Sequence, residues 1–134
     1  MMPSEDAASS GMDLSEFLQQ SEITFTEYLF SLLKENGEKD SVIYHRARMS
    51  RQRFNNIISD KYYQPKKGTA IQLAIGLRLS MPQTQTLLSK AGYQLTRSSK
   101  MDLVIQYFIE RKTYDVDLIN DALYDCNLPL LKTS

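Results

Sequence analysis

The residues with the clearest recognition chemistry lie between positions 50 and 59, where arginine, glutamine and asparagine recur along one predicted helix. In a DNA major groove, arginine can make two hydrogen bonds to guanine, and glutamine or asparagine two to adenine. The candidate base contacts are Arg51, Gln52, Arg53, Asn55 and Asn56. The candidate phosphate contacts around this helix are Arg46, Arg48, Ser50, Lys61, Lys66 and Lys67. The alternative interpretation is a solvated polar face on an ordinary amphipathic helix.

Charge is distributed unevenly along the chain, although its total is zero. Residues 1–40 carry two bases and nine acids, a balance of −7, and residues 41–100 carry eleven bases and one acid, a balance of +10. Residues 101–134 carry three bases and six acids, a balance of −3. This pattern predicts a basic surface formed by the middle third and flanked by acidic elements. Such a surface can attract a phosphate backbone or an acidic protein partner.

The other reactive side chains do not form a catalytic or metal-binding pattern. His45 is the only histidine, so a histidine cluster is excluded, and we expect it at an exposed helix position. Cys126 is the only cysteine and cannot form an internal disulfide. Asp117, Asp121 and Asp125 share one helix face, which could attract a cation or a basic partner but is more typical of a solvated acidic stripe. Without a glycine-rich phosphate loop or a nucleophile elbow, the sequence predicts neither an enzyme nor a bound cofactor.

Size and composition fit one small domain. A chain of 134 residues with 42% apolar residues can bury a single sizeable core. No run approaches the roughly 18 apolar residues that a membrane span needs. Residues 1–11 lack the basic flank and the apolar stretch of a secretory signal. Together with the lone cysteine, these features predict a cytoplasmic protein with no membrane partner.

The candidate residues require two short helices to position them. We expect Asp40 to cap the first helix and Ser50 to cap the second, which runs to about Ser59 after a tight turn at 49–50. This spacing is that of a helix-turn-helix, whose second helix can lie in a major groove. The apolar positions that would lock the two helices together are Ile43, Ala47, Met49, Phe54 and Ile57.

Helices are predicted on both sides of this pair, and no strand is predicted, so the fold class is all-α. The helix before the pair begins at a capping box of Thr24 with Glu27 and ends at Gly37. After the pair, a loop over 60–68 leads to a helix over 69–79. Apolar residues wrap much of the circumference of this helix, so we expect it to be the most buried one.

The last third of the chain predicts three more helices. Ser80 caps one of them, with Pro82 in its first turn, and Gly92 ends it. The next helix opens at residue 98 or 99 and runs to about 111. Asp115 caps the last one, and Pro129 ends it. A further short amphipathic turn is possible over residues 13–20.

Several segments resemble a known family, the lambda-repressor-like (Cro/C1, XRE-type) helix-turn-helix domain. They are Thr26-Glu27-Tyr28-Leu29-Phe30, Arg51-Gln52-Arg53-Phe54, Tyr63-Gln64-Pro65-Lys66-Lys67 and Thr69-Ala70-Ile71-Gln72-Leu73-Ala74-Ile75. The stretches at 87–93 and 99–131 more narrowly resemble a subgroup of small bacterial or phage regulators. The resemblance covers about residues 22 to 131.

The resemblance implies a five-helix repressor-type domain extended by two C-terminal helices. The expected organisation is a flexible acidic tail at 1–20, the helix-turn-helix domain at 21–95, and an extension at 96–134 packed on the same core. Two positions depart from the family pattern, which usually has a small residue at Tyr44 and glycine at Arg48. Tyr44 would crowd the crossing of the two helices, and Arg48 would be forced toward a left-handed conformation.

The polar helix and the resemblance together predict a sequence-specific double-stranded DNA-binding protein, a transcription regulator of the repressor type. Such proteins usually bind as two-fold dimers on half-sites about one helical turn apart. The last two helices could form the homodimer contact or simply close the core; the residues concerned are Tyr107, Phe108, Ile109 and Leu123. The rival hypothesis is a protein-interaction module on the same fold, an accessory of a phage-defence or stress system that holds an acidic partner and does not bind DNA.

Overall fold

The computed structural model describes residues 11–134, which form eight α-helices and no strand. The all-α prediction is therefore confirmed for this part of the chain. In chain order the helices are α1 (Leu14–Leu18), α2 (Phe25–Asn36), α3 (Asp40–Arg46), α4 (Arg51–Ile58), α5 (Lys67–Gly76), α6 (Met81–Lys90), α7 (Lys100–Glu110) and α8 (Val116–Asp125). Between residues 11 and 134 no helix has the length and apolar character needed to cross a membrane.

The first half of the predicted flexible tail, residues 1–10, lies outside the described residues. The second half contains α1, which begins at a capping box of Asp13 with Glu16. No residue of α1 is buried, so the helix projects its apolar side chains into solvent.

Side-chain caps place most helix starts where the sequence predicts them. Thr24 accepts a hydrogen bond from the Glu27 N–H, and the Glu27 carboxylate accepts one from the Thr24 N–H at 2.9 Å. The hydroxyls of Ser50 and Ser80 cap α4 and α6 in the same way, and Ser99 and Asp115 cap α7 and α8. These contacts are local in sequence, which is why the pattern alone identifies them.

Two predicted starts are wrong. Lys39, not Asp40, is the N-cap of α3, and no side chain caps this helix; Asp40 is its first residue. Helix α5 begins at Lys67 rather than at Thr69, because Gly68 is accommodated in the first turn.

Predicted helix ends are less accurate, because six helices stop at a left-handed residue and four of these residues are not glycine. The six residues are Gly37, Arg48, Arg78, Gly92, Lys112 and Asn127. After α5, for example, the N–H of Leu79 donates to the carbonyl of Ala74, and that of Arg78 to the carbonyl of Ile75. This is the Schellman arrangement. It ends α5 at Gly76 rather than near Leu79, and α8 at Asp125, before Pro129 is reached.

Helix α5 lies at the centre of the molecule, as its composition predicts. Every residue from Thr69 to Gly76 is buried, and α5 packs against both α3 and α6. The hydrophobic core is continuous from α2 to α8 and includes Leu131 beyond the last helix. Helices α7 and α8 therefore share the core of the preceding helices.

Candidate nucleic-acid interface

The helix pair α3–α4 is locked by buried apolar residues. All five predicted locking residues, Ile43, Ala47, Met49, Phe54 and Ile57, are at most 2% exposed. Tyr44 does not prevent this packing, since its ring lies beside that of Phe54 with a centroid distance of 5.4 Å and remains half-buried. The turn between the helices passes through Arg48, whose φ of 57° is the predicted left-handed conformation.

Locking α4 on one side leaves its polar side chains on the other. At about 100° per residue, Gln52, Asn55, Asn56 and Ser59 lie opposite Phe54 and Ile57. All four are exposed, as is Arg51 at the first position of the helix. Within residues 11–134 the side chains of Arg51, Gln52, Asn55 and Asn56 make no hydrogen bond or ion pair, so they are available to a ligand. We call these four residues the α4 face.

Arg53, the fifth predicted base contact, is used inside the protein. Its guanidinium donates to Thr69 Oγ1 at 2.8 Å and to Gln72 Oε1 at 3.3 Å, both on α5. It also donates to the carbonyl of Lys132 at 3.2 Å. Partial burial lowers the pKa of Arg53 from its ordinary value. The structure therefore places Arg53 as a link between α4, α5 and the chain beyond α8.

Two predicted phosphate contacts are the most strongly engaged in the fold. Arg46 makes a two-pronged contact with Glu38, at 3.0 and 2.9 Å, and donates to the carbonyl of Gly76 at 2.6 Å. The hydrogen bond from Arg46 lowers the pKa of Glu38 to about 2. Lys67 contacts the buried carboxylate of Asp102 at 2.8 Å. These cations stabilise the fold and face acids rather than open solvent.

The other predicted phosphate contacts are more accessible. Arg48 and Asp117 form an ion pair at 2.9 Å in which both side chains are about half exposed, and Lys61 lies 3.7 Å from Glu27. Ser50 caps α4 through its hydroxyl. Lys66 is exposed at the N-cap of α5 and has no ion pair within the described residues.

The basic middle of the chain is largely neutralised by its acidic flanks. Among residues 11–134 there are six ion pairs, and each joins a base between 46 and 90 to an acid outside residues 41–100. Of the eleven bases in the middle segment, those with no acidic partner are Arg51, Arg53, Lys66, Arg97 and Lys100. Two of these five, Arg51 and Lys66, are exposed on α4 and at the start of α5, so part of the remaining positive charge lies near the α4 face.

The other sequence candidates add no further site. His45 is exposed as predicted, and no group of three potential metal ligands exists within the described part of the chain. Cys126 is exposed at the C-cap of α8. Asp121 and Asp125 are exposed on α8, whereas Asp117 is held by Arg48.

The four residues considered for a dimer contact fall into two groups. Ile109 and Leu123 are 3% and 0% exposed and close the core. Tyr107 is 51% exposed, with the Arg111 guanidinium 3.6 Å from its ring centroid, and Phe108 is half-buried.

The tyrosines beside the lysines after α4 have different environments. Tyr62 is 75% exposed and lies under the ammonium of Lys61 at 5.5 Å, whereas Tyr63 packs against the core. Only Tyr62 is therefore available for stacking.

The residues that sequence reasoning missed come from beyond α8. The carbonyl of Lys132 and the hydroxyl of Ser134 lie against α4. No spacing rule links residues 132–134 to residues 48–53, since their proximity depends on how α8 packs.

Comparison of the chain with protein-family models, curated proteins and solved structures found no match.

Proposed function

We propose that this protein is a sequence-specific double-stranded DNA-binding regulator that places α4 in the major groove. One observation carries the proposal: the side chains of Arg51, Gln52, Asn55 and Asn56 are exposed and uncommitted on a helix whose opposite side is locked in the core. Arginine and amide side chains on a rigid helix are the groups that read base edges. The resemblance to lambda-repressor-like domains, with two added C-terminal helices, supports the same function.

In this proposal the candidate residues have different roles. The α4 face contacts bases, and Lys66, Lys61 and Arg48 contact phosphates. To do so, Lys61 would leave the carboxylate of Glu27 and Arg48 that of Asp117, and each would bind a phosphate oxygen instead. Arg46, Arg53 and Lys67 hold the helices that carry the interface.

A salt titration tests the proposal. We expect the protein to bind a genomic duplex pool, with an affinity that falls as the salt concentration rises from about 50 to 200 mM, since each phosphate contact contributes about −0.9 to the slope of log K against log salt. Failure to bind any duplex at low salt would refute DNA binding.

On a selected site, Arg51→Ala should weaken binding by about 1–3 kcal/mol if Arg51 reads a guanine. An equal loss on every sequence would make Arg51 a phosphate contact.

We also propose that the regulator binds as a homodimer. Tyr107 is the most exposed of the residues considered for this contact, and aromatic and arginine side chains are common at the centre of interfaces. Sedimentation of the wild type and of Tyr107→Ala would test this, with dissociation expected only for the variant.

A protein-interaction module is the second candidate, and the exposure of α1 favours it. Leu14, Phe17 and Leu18 are 71%, 52% and 60% exposed on a helix that also carries Asp13 and Glu16 at its start. Apolar side chains presented together mark interaction surfaces. If the protein binds no duplex but retains a partner through this helix, the second candidate is the function.

A further inference from the structure

The segment of residues 128–134 returns from α8 toward the α3–α4 turn. Asn127, with φ of 59°, reverses the chain after α8. The side chain of Asn120 then holds the backbone of Leu131 from both sides, accepting from its N–H at 2.8 Å and donating to its carbonyl at 3.1 Å. The Leu131 side chain is 3% exposed. The segment is thus fixed by a buried side chain and by hydrogen bonds to its backbone.

Beyond Leu131 the backbone lies against the start of α4. The Lys132 carbonyl accepts hydrogen bonds from Gln72 at 2.6 Å and from Arg53 at 3.2 Å. The Ser134 N–H donates to the Arg48 carbonyl at 3.0 Å, and its hydroxyl accepts from the Ser50 N–H at 3.2 Å. Residues 132–134 therefore run beside the turn and the first turn of α4.

This path anchors the backbone of Lys132 against α4, in the part of the molecule that also carries Arg51 and Lys66. Arg51 is on α4, and Lys66 precedes α5, whose first turn is joined to α4 by the Arg53–Thr69 hydrogen bond. The side chain of Lys132 is exposed and forms no ion pair with any described residue. Only its carbonyl takes part in anchoring the segment, so its ammonium is free to meet an anion.

We propose that Lys132 is a phosphate contact of the DNA interface, placed beside the α4 face by the anchored 128–134 segment. This inference rests on the proposed DNA-binding function. It assigns Arg53 a positioning role, because Arg53 holds the Lys132 carbonyl and does not itself read a base. The chemistry recognised is that of a duplex phosphate oxygen next to the major groove that α4 enters.

Fluorescence anisotropy with a labelled random-sequence duplex tests the inference, using Lys132→Ala, Lys132→Arg and Lys34→Ala. Lys34 is the matched control, because it is also exposed and without an ion pair in the described chain but lies in the last turn of α2. We expect Lys132→Ala to lower the slope of log K against log salt by about 0.9, which corresponds to a loss of about 5- to 10-fold at 0.1 M salt. Lys132→Arg should bind as the wild type does, and Lys34→Ala should lose less than about two-fold, since Lys34 is in the last turn of α2 and is not part of the proposed interface.

The possible failures are distinguishable. If the wild type binds and Lys132→Ala binds as tightly as Lys34→Ala, or more tightly, the inference about Lys132 is wrong while DNA binding stands. If the wild type binds no duplex at low salt, both the proposed function and the inference fail. Equal unfolding midpoints for the three variants would confirm that a loss of binding is not a loss of fold.

Discussion

Arg51 and Arg53 are two positions apart and have opposite environments. Arg51 is exposed at the start of α4 and makes no hydrogen bond within residues 11–134, whereas Arg53 is half-buried against α5 and donates to Thr69 and Gln72. Both residues are arginines, so residue type does not explain the difference in their environments. The difference arises because two residues along a helix point about 200° apart around its axis.

Arg53→Ala should therefore destabilise the protein, while Arg51→Ala should not. Removing the Arg53 guanidinium leaves the Gln72 carbonyl oxygen and the Lys132 carbonyl without one of their donors, so we expect a loss of about 1–3 kcal/mol in the free energy of unfolding. Arg51→Ala should stay within about 0.5 kcal/mol of the wild type. Urea denaturation followed by circular dichroism measures both. Equal stabilities of the two variants would contradict the internal role of Arg53.

Glu38 gives the molecule a defined acid sensitivity. Its pKa is about 2 in the folded protein, mainly because Arg46 donates hydrogen bonds to it, against an ordinary value of 4.5. A depressed folded-state pKa contributes stability above the unfolded-state pKa, and that contribution is lost as the pH falls toward the folded-state value. The stability difference between the wild type and Glu38→Gln should thus be constant above about pH 5 and shrink between pH 4.5 and pH 2. Thermal unfolding of both proteins across this range measures it, and a difference that persists unchanged at pH 2 would contradict the pairing.

At the scale of elements, the close approach of α3 and α5 depends on Gly76. A Cβ added there would lie 2.7 Å from the Ile43 carbonyl oxygen and 3.0 Å from the Ala47 Cβ. The Ile43 carbonyl belongs to the backbone of α3 and cannot rotate away as a side chain can. The whole of α3 would therefore have to shift, together with the α3–α4 turn. The orientation of α4 is therefore set partly by a glycine on a third helix.

Gly76→Ala should cost about 1–3 kcal/mol of stability, the range typical of overpacking. Gly68→Ala is the matched control on the same helix, because its added Cβ would meet only Leu131 Cδ2, at an ordinary 3.7 Å. We expect the control to be neutral or stabilising by less than about 1 kcal/mol, since alanine restricts the unfolded chain more than glycine does. Chemical denaturation distinguishes the two, and a well-tolerated Gly76→Ala would show that α3 and α5 can separate without cost.

At the scale of the whole molecule, the ion pairs join the acidic flanks to the basic middle. The most buried of them connects Lys67, at the start of α5, to Asp102 on α7, whose side chain is 3% exposed. Asp102 also accepts a hydrogen bond from the Thr96 N–H at 2.9 Å. This contact and the continuous core should make α7 and α8 unfold together with the rest of the protein.

Asp102→Asn should lower the free energy of unfolding by about 2–3 kcal/mol, because it leaves the Lys67 charge without its partner in a partly buried position. Asp121→Asn makes the same charge change at an exposed site on α8 and should have an effect within about 0.5 kcal/mol. Both variants should retain a single transition that coincides by circular dichroism and tyrosine fluorescence. Separate transitions would show that the C-terminal helices form an independent unit.

The sequence by itself determined the helical class, most helix starts and the locked α3–α4 pair with its exposed polar face. These features depend on contacts between near neighbours: a serine with the N–H three residues on, or apolar residues repeating along one side of a helix. Helix ends at Arg78 and Lys112 were harder to place, because the left-handed residue there is not glycine.

Only the tertiary structure decided which charges remain available. Arg46, Arg53 and Lys67 resemble free cations in the sequence, yet their partners lie 8 to 81 positions away and meet them only once the helices pack. Lys132 and the 128–134 segment reach α4 for the same reason. A local pattern can therefore identify a helix with an exposed polar face, but the surrounding charge depends on contacts between residues far apart in the chain.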